Sequence, residues 1–304
     1  MNENKINYLL GIDGGGTKTE FLLTDLYEKE IKRIILGTSN PVNIGIENSE
    51  SLLRQGITEI CNGLNYVEIS VFAGLAGSSS DETKAEISRF LGDFGFGAYS
   101  NGTDADSVLE IALKGENGTA IIMGTGIIAF TRSHGKLHRT GGRGCMIDKG
   151  GSGFHFGSDA LNAAFEFLDG RGGSELIMKL VEKKLGKSLE NSVAEIYAGG
   201  AAYVASFAPV VFEAYKKGDS EAEKIIERNA REAAKIIIAA HSFLENSNKK
   251  TVICGGLCKQ KEILEPFLLR YIEGGYPLVF SDEPTVNGSV SLAKSNIQGG
   301  KNHA

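Results

Sequence analysis

Asp13 ends a short apolar run, Tyr8–Asp13, and is followed directly by Gly14, Gly15, Gly16, Thr17 and Lys18; a second run, Glu20–Thr24, resumes behind them. A carboxylate at the end of a strand can hold Mg²⁺ directly or through water. Glycines let backbone N–H groups reach phosphate oxygens with no Cβ in the way, and the Thr17 hydroxyl adds a donor. The plan recurs where Thr119–Met123 leads into Gly124, Thr125 and Gly126 and Ile127–Arg132 leads out. Two such turns read as grips for one triphosphate. The structural alternatives are an aspartate that stabilises its own turn and tight hairpins that simply favour glycine.

Other candidates lie near turns. Asp104 stands in Asn101-Gly-Thr-Asp-Ala105, ahead of a helical run Ala105–Leu113, where Thr103 or Asp104 can cap the helix, and Asp106 lies two residues on. Asn40 follows Ser39 and is held out of helical geometry by Pro41. Gly255-Gly256 separates a strand from a helix, as a simple turn between them would.

Two phosphate motifs do not fit. Gly11 and Gly16 have P-loop separation, but Thr17 stands where lysine is required and a strand comes next where a helix is needed. Gly124-Thr-Gly126-Ile-Ile-Ala129 has dinucleotide-fold spacing, yet the residues after it are again strand-like.

The elements that must position these residues form one plan used twice. Tyr8–Asp13, Glu20–Thr24 and Ile31–Leu36 read as strands; Glu47–Leu64 has helical spacing. Val67–Ala73 and Phe96–Ser100 read as strands around a helix that a Ser79-x-x-Glu82 capping box would open, and Ala105–Leu113 closes the unit. From Thr119 the order restarts, with Lys136–Arg139 as a third strand, a helical stretch from Ser158 to about Asn246, a strand Thr251–Cys254, a helix Lys259–Ile272, a strand Leu278–Phe280 and a helix Asn287–Ser295. The expectation is an α/β fold of two lobes, 1–114 and 115–304. Each is a mixed five-stranded sheet in βββαβαβα order; the second has a helical insertion at about 158–246, and the last helix is able to pack back on the first lobe. Sites in such proteins usually lie between the lobes.

Bulk numbers agree with a two-domain protein of 304 residues. Glycine accounts for 40 of them, about 13% against the usual ~7%. Seventeen fall in 11–16, 74–77, 124–126, 141–157 and 255–256, so the excess marks specialised turns. A net charge of -6 with no dense basic cluster argues against nucleic acid. No apolar run is long enough to cross a membrane and the N-terminal residues lack a signal-peptide pattern, so a cytoplasmic location is expected. Cys61, Cys145, Cys254 and Cys258 are too scattered for a disulfide framework, and Cys254-x3-Cys258 lacks the second pair of a zinc site.

Gly11-Ile-Asp-Gly-Gly-Gly-Thr-Lys-Thr19, Ala73-Gly-Leu-Ala-Gly77, Gly124-Thr-Gly126 and Ile253-Cys-Gly-Gly256, in this order and spacing, resemble the BadF/BadG/BcrA/BcrD ATPase family, and within it the N-acetylglucosamine kinases and bacterial amino-sugar kinases. The resemblance covers almost the whole chain. It implies an actin-like, ribonuclease H-like fold of the hexokinase type, ATP and Mg²⁺ as cofactors, a small amino-sugar substrate and a homodimer. It further implies Asp13 at the metal, Asp104 as the base for the sugar hydroxyl, and Gly14, Gly15, Gly16, Thr17, Lys18, Gly124, Thr125, Gly126, Gly255 and Gly256 at the nucleotide. The sugar side falls to Asn40, Gly77, Asp104, Thr125, Gly142 and Asp148.

Two departures from the family pattern stand out. Relatives read Gly-Asp-Glu-Gly-Ser-Gly where this chain has Asp148-Lys-Gly-Gly-Ser-Gly153, so Lys149 takes the aspartate position unless the backbone shifts by one residue. Arg143 replaces an aromatic residue and Ile127 a serine. The basic pair Arg143 and Lys149 suits an acidic substituent, such as the lactyl carboxylate of N-acetylmuramic acid. Two other readings remain open within the family: an ATPase activator of a 2-hydroxyacyl-CoA dehydratase, with an iron–sulfur cluster shared across a dimer, and a non-catalytic sugar sensor.

Overall fold

The computed structural model describes residues 5–244, 250–272, 274 and 277–298. β1 (Tyr8–Gly14), β2 (Thr19–Asp25) and β3 (Glu30–Leu36) form an antiparallel meander. After helices α1 (Pro41–Ile44) and α2 (Ile46–Ile60), β4 (Ile69–Leu75) adds parallel to β1. After α3 (Asp81–Gly92), β5 (Ala98–Gly102) adds parallel to β4, giving the order β3-β2-β1-β4-β5, and α4 (Asp104–Leu113) comes next. β4 is buried along its whole length because it is an interior strand covered on both faces. β3 is an edge, and it exposes Ile31 and Ile35 beside Lys32 and Arg33. On one face α2 and α3 bury Leu53, Ile57, Ile87, Phe90 and Leu91 against β1, β2 and β4.

Two strands sit two residues later than their sequence pattern suggests. Phe96 takes its burial from a cluster of edge-to-face and stacked rings with Tyr66 and Phe94, so its apolar character reports that cluster and not strand pairing. The cap of α3 is Ser80, whose hydroxyl accepts the Thr83 N–H, and not Ser79.

The second unit repeats the sheet. β6 (Gly118–Met123), β7 (Ile127–Ser133) and β8 (Lys136–Gly141) form the meander. Helices α5 (Gly153–Leu168), α6 (Glu175–Leu185), α7 (Val193–Ala205), α8 (Ala208–Lys216) and α9 (Ser220–His241) make up the insertion. β9 (Thr251–Cys254), α10 (Lys261–Leu269) and β10 (Leu278–Phe280) complete the order β10-β9-β6-β7-β8. The insertion starts at Gly153, five residues before the expected point, because Ser152 caps α5 there. α9 buries Ala222, Ile225, Ile226, Asn229, Ala230, Ala233, Ala234 and Ile237, the three-and-four spacing of an amphipathic helix. The expected helix 259–272 divides into a 3-10 segment Gly256–Gln260 and the shorter α10.

The last helix, α11 (Thr285–Gln298), belongs to the first unit. The units are Met1–Gly115 with Glu283–Ala304, and Glu116–Asp282. Val286, Val290 and Ala293 pack on Leu9, Leu22 and Phe72, each valine contributing about 1.5–3 kcal/mol of burial. Glycine permits the approach: a Cβ on Gly11 would lie 2.7 Å from the Val290 nitrogen.

Candidate active site

Asp13 stands at the end of β1, where β1 passes into the turn 15–18. Its carboxylate accepts the Thr285 hydroxyl from the start of α11. Burial pushes its pKa up to about 6, with smaller upward contributions from the negative charges of Asp104 and Glu20 and opposing ones from Thr285 and Lys18. Asp104 begins α4 next to the end of β5, and burial raises its pKa as well. Its side chain has no side-chain partner among the described residues. Asp106 is already engaged, since its carboxylate accepts the Thr103 N–H at 2.8 Å and the Thr103 hydroxyl at 2.9 Å. The helix is thus capped by Thr103 and Asp106, and the Asp104 carboxylate is left with backbone N–H groups only, its own and that of Ala105. The parallel pairing of β1, β4 and β5 brings the two acids, 91 positions apart, to the same end of the sheet, where these strands finish.

The first glycine turn closes with one hydrogen bond, Gly15 N–H to Lys18 O at 2.8 Å, and the Thr38 hydroxyl holds Gly15 O at 2.9 Å. Gly16 and Thr17 are exposed, and their N–H groups have no partner among the described residues. A Cβ at Gly14 would strike Ser39 and Leu75, whereas at Gly16 it would meet nothing. Lys18 is held toward the protein by Glu20 at 3.1 Å, and Glu20 is shared with Arg33.

The second turn has the same form. Gly124 N–H closes on Gly126 O at 3.0 Å, leaving the exposed N–H groups of Thr125 and Gly126 unpartnered among the described residues. Neither Gly124 nor Gly126 meets a neighbour that would exclude a Cβ. The carbonyls of this turn face inward: Gly153 N–H donates to Gly124 O at 2.7 Å and Phe154 N–H to Thr125 O at 3.1 Å. Gly255 has a structural reason of its own, with φ +99° and a would-be Cβ 2.7 Å from Met123 O; Gly256 is open.

Asn40 caps α1, its Oδ1 accepting Val42 N–H at 2.9 Å, and its Nδ2 stays without a partner among the described residues. Gly77 has φ +81° and lies so close to Asn40 Oδ1 that a side chain there would collide with it. Gly142, in the second unit, follows β8 with φ +68°. Asp148 turns one oxygen back on its own loop, where it accepts Arg143 N–H at 2.9 Å and Gly144 N–H at 3.2 Å. Arg143 and Lys149 are exposed and have no ion-pair partner among the described residues.

Thr285, on Asp13, escaped the sequence reading; its signal was the Pro284-Thr285 start of a helix, whose return to β1 lies far away in sequence. Also missed was Ser78, whose hydroxyl donates to Leu75 O at 2.7 Å or to Gly102 O at 2.8 Å and so ties the ends of β4 and β5 together.

Residues 10–286 match the family model described as the BadF/BadG/BcrA/BcrD ATPase family. The chain belongs to the BadF/BadG/BcrA/BcrD ATPase family. Among the curated proteins that this family member resembles is an N-acetylmuramic acid/N-acetylglucosamine kinase of Clostridium acetobutylicum, 28% identical over 95% of this chain and 99% of that protein. An N-acetyl-D-glucosamine kinase of Dictyostelium discoideum is 27% identical over 88% and 91%. Among solved structures, a candidate N-acetylglucosamine kinase of Porphyromonas gingivalis superposes with a TM-score of 0.76 at 15% identity, covering 96% of this chain and 100% of that one, which establishes the shared actin-like fold. No single helix among the described residues is long and apolar enough to cross a membrane.

Proposed function

We propose that this family member is an ATP-dependent kinase that phosphorylates a hydroxyl of an amino sugar, with N-acetylglucosamine as the first candidate. The observation that carries the reading is the acid pair at the end of the first sheet: Asp13 tied to Thr285, and Asp104 free of side-chain partners with a raised pKa. A partly buried carboxylate with a raised pKa is suited to take a proton from an attacking hydroxyl. The donor set also fits the nucleotide and its metal. Asp13 offers a carboxylate whose burial cost a divalent cation would offset, and the two turns offer unpartnered N–H groups at Gly16, Thr17, Thr125 and Gly126 to phosphate oxygens. Mg²⁺, when bound, supplies charge neutralisation on the phosphate. Lys18, braced by Glu20, adds a cation beside the first turn. The relatives named as amino-sugar kinases support the substrate class.

Asn40 Nδ2, the Thr125 hydroxyl, the backbone at Gly77 and Gly142, and the oxygen of Asp148 not used by its own loop are the proposed sugar contacts. The iron–sulfur alternative is disfavoured by the thiols. Cys61, Cys254 and Cys258 are buried, which leaves Cys145 as the one partly exposed thiol, whereas a four-thiolate cluster shared across a dimer would draw two from each subunit.

ADP release measured across N-acetylglucosamine, N-acetylmuramic acid, glucosamine, N-acetylmannosamine and glucose tests the assignment. Turnover of at least one amino sugar is expected to exceed that of glucose by about tenfold or more; turnover of none of them would sink it. The unpaired Arg143 and Lys149 give a second expectation. Replacing both with alanine should lower kcat/KM for N-acetylmuramic acid about fivefold relative to N-acetylglucosamine, the scale of a lost charge-assisted contact. Equal loss for the two sugars would remove any role in recognising a carboxylate.

A further inference from the structure

The second unit contains a small hydrogen-bonded bracket built on His155. Its Nε2 lies 2.7 Å from Asp148 O and its Nδ1 2.6 Å from the Ser152 hydroxyl. A carbonyl only accepts, so Nε2 carries a proton and donates it to Asp148 O, while Nδ1 pairs with the Ser152 hydroxyl. Asp148 in turn closes the loop in front of it, through its carboxylate on Arg143 and Gly144 and through its own N–H on Gly144 O at 2.9 Å. Behind it, Gly151 N–H donates to the buried Asn229 Oδ1 at 2.9 Å, and Asn229 is fixed by donating to Asp159 and to Ile225 O. His155 sits in the first turn of α5, and the two N–H groups just before it hold the carbonyls of Gly124 and Thr125.

One helix start therefore touches both the 143–148 loop and the 124–126 turn. We propose that His155 is a positioning residue that sets the 143–148 loop in register with the 124–126 turn, by donating from Nε2 to Asp148 O. This rests on the kinase reading, in which the loop contacts sugar and the turn contacts phosphate. With the bracket in place the loop is preorganised and sugar binding does not have to order it. Ser152 by itself cannot do this, because its hydroxyl caps α5 and does not reach Asp148 in the structure.

Two substitutions separate the bonds. Glutamine can place an amide nitrogen near the Nε2 position, and asparagine only near the Nδ1 position. His155→Gln is expected to keep the sugar KM within about twofold of wild type, whereas His155→Asn raises it about five- to tenfold, the effect of one lost internal hydrogen bond, with the ATP KM and the melting temperature little changed. Hydrogen–deuterium exchange on the ligand-free protein gives a readout independent of activity: amides of 143–150 should exchange faster in His155→Asn and not in His155→Gln. Equal exchange in all three proteins, or glutamine behaving as asparagine does, overturns the positioning role. If exchange behaves as expected but wild type phosphorylates no amino sugar, the bracket stands and the kinase reading fails.

Discussion

Asp104→Asn is expected to lower sugar-dependent ADP release by about two to four orders of magnitude while nucleotide affinity changes less than about twofold, as for loss of a catalytic base. Asparagine matches the shape of aspartate and keeps an oxygen for the backbone N–H groups of Asp104 and Ala105, while the cap of α4 is made by Thr103 with Asp106. The contrasting variant is Asp106→Asn, which removes a carboxylate from that cap. It should lower stability by about 1 kcal/mol and leave most of the turnover. Because burial raises the Asp104 pKa, the base is lost to protonation at a higher pH than an exposed aspartate would be. The acid limb of kcat/KM should accordingly lie above the ordinary aspartate range, and it should vanish from the residual activity of Asp104→Asn. Unchanged turnover in that variant, or a larger loss in Asp106→Asn, would falsify the assignment.

The contrast between these two acids also shows what a sequence can and cannot disclose. The doubled βββαβαβα plan was readable because each strand is a short apolar run broken by glycine, and both five-stranded sheets arise from it. The two glycine turns were readable as hairpins for the same reason. Which aspartate was free and which capped the helix was not, since Asp104 and Asp106 lie on the same first turn and only side-chain rotamers decide between them. Thr285 reaches Asp13 across 272 positions, and local pattern has no access to that separation. The glycine-dense stretch 141–157 resisted reading for another reason. Several of its glycines answer to tertiary neighbours: Gly151 lies against Ala233 of α9, and Gly157 against the backbone of Val204. Its conformation is set by His155 and Asn229, residues that carry no signal until the chain is folded.

Asp13→Asn should separate stability from activity. The folded pKa of about 6 stands above the ordinary value of 3.8, so the folded chain retains a proton that the unfolded chain gives up. The stability contributed by protonated Asp13 is complete below about pH 4 and is lost as pH rises through about 6. At pH 7.5 wild type therefore holds a buried charge at a cost of about 2 kcal/mol, roughly 1.4 kcal/mol for each pH unit of the shift less the share screened by solvent. Asparagine still accepts the Thr285 hydroxyl and carries no charge, so the metal-free variant should melt higher than wild type at pH 7.5 and no higher at pH 4. Mg²⁺ with nucleotide should raise the melting temperature of wild type at pH 7.5, because a cation offsets the same charge, and should raise that of the variant far less. Turnover of the variant should fall by about a hundredfold or more, since the phosphate loses the cation that this carboxylate would hold. A variant less stable than wild type at pH 7.5, or one stabilised equally by Mg²⁺, would show that Asp13 is a structural acid of its own turn and not the metal carboxylate.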